Sequence, residues 1–233
     1  MKKVMKLLTA GLVASFALAT APALATEGGE GSFMDKTVTW FTTDTYVGIQ
    51  FGSLSHDTNE ADINNLTSAT YINSVSIDDG GTGYRLFFGK KFHKNFGVEL
   101  GYADLGEIDV NVDANALFPD SFLQDLANAT PVAPSGILID AVGSWTFAEF
   151  GMEGEWADKL SLVGRLGFFM WETEVDYGRN GMTFAADDDG SDIHFGIGAS
   201  YQINEDFAVR FEYEMFQSTT EVDMIGVGVS YSF

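Results

Sequence analysis

Cysteine is absent from this sequence, so no disulfide scaffold can hold the fold, and stability must come from a sheet or a core. Basic residues are scarce: 12 Lys and Arg stand against 34 Asp and Glu, a formal net charge of -22. That balance argues against nucleic acid as a partner, because phosphates need a basic face. It suits divalent cations or basic partners, or simply a solvated acidic surface. After residue 25 there is no run of 18 apolar residues, which excludes a transmembrane helix from the rest of the chain. It does not exclude a membrane barrel, whose apolar residues sit at every second position.

The start of the chain reads MKKVMKLLTAGLVASFALATAPALA. Lys2, Lys3 and Lys6 form a positive region, Leu7 to Leu18 an apolar one, and Ala23-Leu24-Ala25 a small-residue cleavage site. Residues 1–25 therefore read as a secretory signal peptide too short to span a bilayer, and the mature chain is expected to start at Thr26. Its removal takes away three lysines and no acid, so the exported protein is more acidic still. A total of 233 residues suits one domain or at most two.

Writing out alternate residues gives the main structural signal. In IGVGVSYSF (225–233), Ile225, Val227, Val229, Tyr231 and Phe233 oppose Gly226, Gly228, Ser230 and Ser232. The same two-faced pattern recurs in YVGIQFG (46–52), YRLFFGKKF (84–92), FGVELGYA (96–103), AEFGMEGEW (148–156), LSLVGRLGFFMW (160–171), IHFGIGASYQI (193–203) and FAVRFEYEMF (207–216). Period-2 alternation predicts strands, here eight. Their connections alternate between tight turns (93–95, 157–159, 204–206) and longer loops (55–82, 105–140, 176–191, 217–221). Short turns at one rim and long loops at the other predict an all-β fold: an eight-stranded antiparallel up-and-down transmembrane barrel over 43–233, with residues 26–42 as a periplasmic lead-in.

The alternative is a soluble barrel with its apolar face inward. The second face decides between them. It carries Arg85, Lys91, Glu99, Glu149, Glu153, Glu155, Arg165, Arg210, Glu212 and Glu214 among glycines and serines. As an exterior it would be unusually rich in glycine. As the interior of a narrow barrel it makes room for opposite charges to pair across the lumen. Phe92, Phe96, Trp156, Tyr201, Phe207 and Phe233 end the apolar face near the short turns, as an interfacial aromatic girdle does.

With this pattern the chain resembles the OmpA-like transmembrane domain family. The match rests on YRLFFGKKFHKNFGVELGYADLG (84–106), VGRLGFFMW (163–171), FAVRFEYEMF (207–216) and the terminal GVSYSF, and covers most of 43–233. The resemblance implies an outer-membrane location and a lumenal cluster of charges that blocks or gates a channel, with Glu99 and Arg210 at positions of that cluster. Ser200 stands where the family tends to have a carboxylate, so Arg210 is expected to pair with Glu153, Glu155 or Glu212 instead. The peptidoglycan-binding domain of many members is not expected here. The terminal pattern, with Tyr231 and Phe233, resembles the signal read by the outer-membrane assembly machinery. Outer-membrane lipid and lipopolysaccharide are the other implied partners.

Chemistry beyond this is thinly signalled. His56 with Asp57, and His194 with Asp192, are candidates for a hydrolytic site at the extracellular mouth, but no nucleophile, base and orienting group stand together, so no enzyme activity and no cofactor are expected. Asp187, Asp189 and Asp192, in the run DDDGSD, read as a hairpin loop and a weak Ca²⁺ candidate lacking the distal Glu of an EF-hand. FPDSFLQDLANAT (118–130) has a short helical pattern that could fold over the barrel mouth. The expected role is structural, in envelope integrity or surface interaction, with a largely closed lumen. A small diffusion pore is the alternative, and an outer-membrane enzyme a third.

Overall fold

The computed structural model describes residues 44–56, 72–78, 80–106, 109–114, 133–179, 182–218 and 221–233. The expected signal peptide and lead-in, Asp57 and the helical pattern at 118–130 lie outside the described residues. The strands are β1 (Thr45–His56), β2 (Ile72–Asp78), β3 (Gly80–His93), β4 (Phe96–Asp104), β5 (Asp109–Ala114), β6 (Ser135–Thr146), β7 (Leu160–Arg179), β8 (Met182–Gln202), β9 (Phe207–Phe216) and β10 (Val222–Ser232). A 3-10 turn (Phe147–Phe150) and a short helix, α1 (Glu155–Lys159), follow β6.

Eight of these strands close into an antiparallel barrel in the order β1-β10-β9-β8-β7-β6-β4-β3, with β3 back against β1. The remaining two, β2 and β5, pair with each other as a separate two-stranded sheet. Closure joins the first and last strands from Tyr46↔Ser232 to His56↔Val222. Within the barrel, full closure leaves no strand edge unpaired, the condition lipid imposes on a spanning sheet.

The barrel is inverted relative to a water-soluble protein. Outward positions carry Phe51, Leu166, Phe168, Ile197, Phe211 and Val227, all exposed, while Arg85, Glu99 and Glu214 inside are fully buried. No helix among the described residues is long and apolar enough to cross a membrane; the strands do so. Glycine on the inner face lets aromatics into the narrow bore. A Cβ on Gly89 would collide with the Tyr46 ring and one on Gly48 with the Phe87 ring, and these two rings meet edge-on at 6.3 Å.

Along its axis the interior is layered. Towards the long-connection rim lies an apolar cluster of Leu54, Ala103, Leu105, Leu138, Phe169, Trp171, Phe216, Val222 and Met224. The charged layer lies in the middle. Towards the short-turn rim Tyr46, Phe87, Val142 and Val163 are again buried. Alternation in the sequence already puts Tyr46, Phe87, Val163 and Phe169 on this face; their sorting into separate layers above and below the charges shows only in the fold.

Two strand assignments are corrected. The fourth barrel strand is Ser135–Thr146, not 148–156, and residues 147–159 form the whole rim connection that was expected to be a turn at 157–159. The expected loop at 176–191 is mostly strand: β7 and β8 pair from Leu160↔Tyr201 to Arg179↔Met182. Pairing with the flanking strands stops earlier, at Ser135↔Glu172 and His194↔Phe216, so the hairpin continues past the closed barrel.

Candidate functional site

The middle of the lumen is built by strand alternation, which sends every second residue of β1, β3, β4, β6, β7, β8 and β9 inward. Glu99, from β4, is the hub. Its Oε1 accepts hydrogen bonds from Tyr46 Oη at 2.8 Å and Arg210 Nη1 at 2.7 Å. Its Oε2 accepts from Arg85 Nη2 at 2.9 Å and Arg165 Nη1 at 3.1 Å. Three guanidiniums from three strands thus converge on one carboxylate. Arg85 also donates to Asp140 Oδ2 at 2.8 Å, and Arg165 donates to Glu212 Oε1 at 2.5 Å.

His194 completes the layer. Its Nδ1 is 3.0 Å from Asp140 Oδ1 and its Nε2 is 2.9 Å from Glu214 Oε2, so the ring bridges β6 and β9. It stacks on Phe216 with centroids 4.5 Å apart, at the boundary with the apolar layer. Gln50 donates to the other oxygen of Glu214 at 2.7 Å. Arg210 lies over both the Tyr46 and Phe87 rings, at 5.0 and 4.7 Å, which caps the ions on the short-turn side.

The structure brings together Arg85, Glu99, Arg165, Arg210, Glu212 and Glu214 from the expected cluster and leaves the others out. Lys91 is on the same strand face but exposed at the rim, over the edge of Tyr46 at 5.9 Å. Glu149, Glu153 and Glu155 are not lumenal, because their segment leaves the wall after Thr146; all three are exposed on the rim connection. Arg210 therefore takes neither Glu153 nor Glu155 as partner but Glu99, with Glu212 engaged by Arg165. Asp140 and His194 are the additions. A strand beginning at 193 puts His194 at the mouth; β8 instead begins at Met182, which sets His194 inside the wall.

The remaining candidates do not assemble. Asp189 and Asp192 lie in β8 rather than in a loop, three positions apart and so on opposite faces, and Asp187 shares the strand. Asp192 accepts a hydrogen bond from Trp171 Nε1 at 2.9 Å instead of turning towards His194. Among the described residues no three His, Asp or Glu gather as metal ligands. His56 is buried with Nε2 3.2 Å from the Leu105 carbonyl. Tyr231 stacks edge-on against Phe233 at 5.1 Å, and Phe233 N donates to the Thr45 carbonyl at 3.0 Å, tying the end of β10 to the start of β1.

At the rim, Glu149 holds the β6–β7 connection to the β3–β4 turn. Lys94 Nζ donates to its Oε1 at 2.6 Å, and Asn95 Nδ2 and the Thr146 amide donate to Oε2 at 2.8 and 3.0 Å. The Lys94 hydrogen bond, followed by that from Thr146, holds the Glu149 carboxyl below its ordinary range. A carboxylate lowered in the folded state adds stability above the unfolded value, which is lost as pH falls through the folded one. We expect a carbon-detected NMR titration to show Glu149 protonating below the ordinary glutamate range, with Lys94→Ala raising it towards that range. Coincident titration of Glu149 in the unmodified chain and in Lys94→Ala would contradict this contact in solution.

The family model described as the OmpA-like transmembrane domain matches residues 42–233. No curated protein matches the chain. Among solved structures, the N-terminal barrel domain of Pseudomonas aeruginosa OprF is similar at 12% identity, covering 82% of this chain and 98% of that one, with a TM-score of 0.47. Ail of Yersinia pestis, in complex with the heparin analogue sucrose octasulfate, is 15% identical over 82% of this chain and 100% of that one, with a TM-score of 0.41. OprG of Pseudomonas aeruginosa is 14% identical over 82% and 98%, with a TM-score of 0.40.

Proposed function

Because this chain belongs to the OmpA-like transmembrane domain family and is a barrel of the bacterial outer membrane, we propose that it is a sealed wall protein with a role in envelope integrity and surface interaction, rather than a pore or an enzyme. The observation that carries this reading is the layered lumen. An ion layer in which one carboxylate binds three guanidiniums lies between two layers of buried apolar side chains. Water and ions cross a bore only where it is open or can be wetted, and stacked apolar and ion-paired layers resist both.

Both histidines considered for a hydrolytic mouth are engaged inside the wall, His56 with a backbone carbonyl and His194 between two carboxylates. Surface interaction would fall to the connections at the long rim. A formal net charge of -22 favours cationic ligands there over a sulfated polyanion such as the heparin analogue bound by Ail.

Planar-bilayer recording tests the sealed wall. The expected trace has no steady conductance, for the unmodified chain and for Glu153→Gln alike. A steady open current that scales with bulk salt would overturn the reading in favour of a diffusion pore.

A further inference from the structure

The β6–β7 connection is longer than closing the barrel requires. At the same rim, β3 joins β4 through Lys94 and Asn95, and β8 joins β9 through residues 203–206. Antiparallel neighbours need only about 2–5 connecting residues. Residues 147–159 are nevertheless ordered. The 3-10 turn closes on Gly151, whose φ of 81° suits glycine, with hydrogen bonds from Gly151 N to Ala148 O and Met152 N to Phe147 O. Ala157 of α1 is fully buried, and Glu149 pins the segment to Lys94 and Asn95. The connection is a fixed shelf.

The exposed side of this shelf is apolar. Phe150, Met152 and Trp156 are 57%, 43% and 47% exposed. The Phe147 ring joins them, 6.3 Å from Phe150 and 6.0 Å from Trp156. The patch continues from the lipid-facing wall: two residues before Phe147, Trp145 meets Phe96 edge-on at 5.4 Å, and Phe96 is exposed on the outward face of β4. The shelf's charges are Glu153, Glu155 and Asp158 against Lys159, with Glu149 already paired to Lys94. Aromatic side chains beside carboxylates match a leaflet whose headgroups carry ammonium groups and mismatch an anionic one.

We propose that residues 147–159 form an interfacial shelf seated in the periplasmic leaflet, with a preference for zwitterionic, amine-bearing headgroups. Its apolar side chains enter the zone between headgroup and acyl chain, and Glu153 and Glu155 lie at the level of the ammonium groups. A basic periplasmic protein is the competing occupant.

The cysteine-free chain makes the test direct. Met152→Cys and, as a second variant, Phe150→Cys are labelled with an environment-sensitive fluorophore in the full barrel, with Glu205→Cys in the polar turn as the aqueous control. Folding of each is checked by heat-modifiable gel mobility. In phosphatidylethanolamine-rich nanodiscs both shelf labels should be at least about threefold less accessible to aqueous acrylamide than the control, and should be quenched by headgroup-level nitroxide lipid. In phosphatidylglycerol nanodiscs the protection should fall about twofold, and Glu153→Gln/Glu155→Gln should remove that difference. Acrylamide access equal to the control in ethanolamine nanodiscs, or protection that arises only when a basic periplasmic fraction is added, would overturn the lipid shelf. Equal protection in both lipids would overturn the headgroup preference.

Discussion

Glu99→Gln should cost the folded barrel about 3–5 kcal/mol or more, the range found when a buried charge pair loses one partner. The change is nearly isosteric, so packing is not the cause. A neutral amide with one acceptor oxygen replaces a carboxylate that accepts from Tyr46, Arg85, Arg165 and Arg210. Arg210 has no other carboxylate within ion-pair distance among the described residues, so its guanidinium would be left buried without a direct ion-pair partner. The measurement is urea-induced unfolding in detergent or lipid, followed by tryptophan fluorescence. The midpoint should fall with little change in slope. Glu153→Gln on the rim is the internal comparison and should lie within about 0.5 kcal/mol of the unmodified protein. If the two variants unfold together, the ion layer does not hold the barrel.

Phe169→Ala should be of similar size by a different route. The side chain is fully buried in the apolar layer and meets Phe216 edge-on at 5.3 Å. Truncating a core Phe removes apolar burial and leaves a cavity, typically about 3–5 kcal/mol. Phe168 is its neighbour in sequence, points outward and is 60% exposed to what would be lipid. Phe168→Ala should therefore cost much less in the same assay, because lipid chains fill the space that the ring vacates. A reversed order, with Phe168→Ala the more damaging, would mean that the inner apolar layer is not packed as described.

Most of the wall was legible because lipid outside and a narrow bore inside impose opposite chemistries on successive residues. β10, with Ile225, Val227 and Val229 against Gly226 and Gly228, shows this directly. β6 was missed for the complementary reason. Ile137 and Ile139 face outward, but Leu138 and Val142 face an apolar interior, so both sides of the strand read as apolar and the period vanishes. Nearby, 148–156 alternated by chance between apolar residues and Glu or Gly, and drew the assignment instead. Asp140 went with the missed strand. His194 falls on the correct face in the sequence pattern, and only its height differs, because the pairing of β7 with β8 beyond the barrel carries no lipid pattern that would extend the predicted strand upward. Arg85, Glu99, Arg165 and Arg210 were visible as charges on the glycine face; which of them meet was not, since that depends on register around a closed ring.

That ring has a consequence for how the protein is made. β1 and β10 are neighbours, yet their paired residues Tyr46 and Ser232 lie at opposite ends of the barrel sequence. The partners of Glu99 come from β3, β7 and β9, so the ion layer cannot form while the later strands are still missing. Contacts of such long sequence separation form slowly, and until they do the first strand presents an open edge and the arginines lack their carboxylate. Glu99 therefore lacks its full set of guanidiniums until β9, the next-to-last barrel strand, has joined the wall.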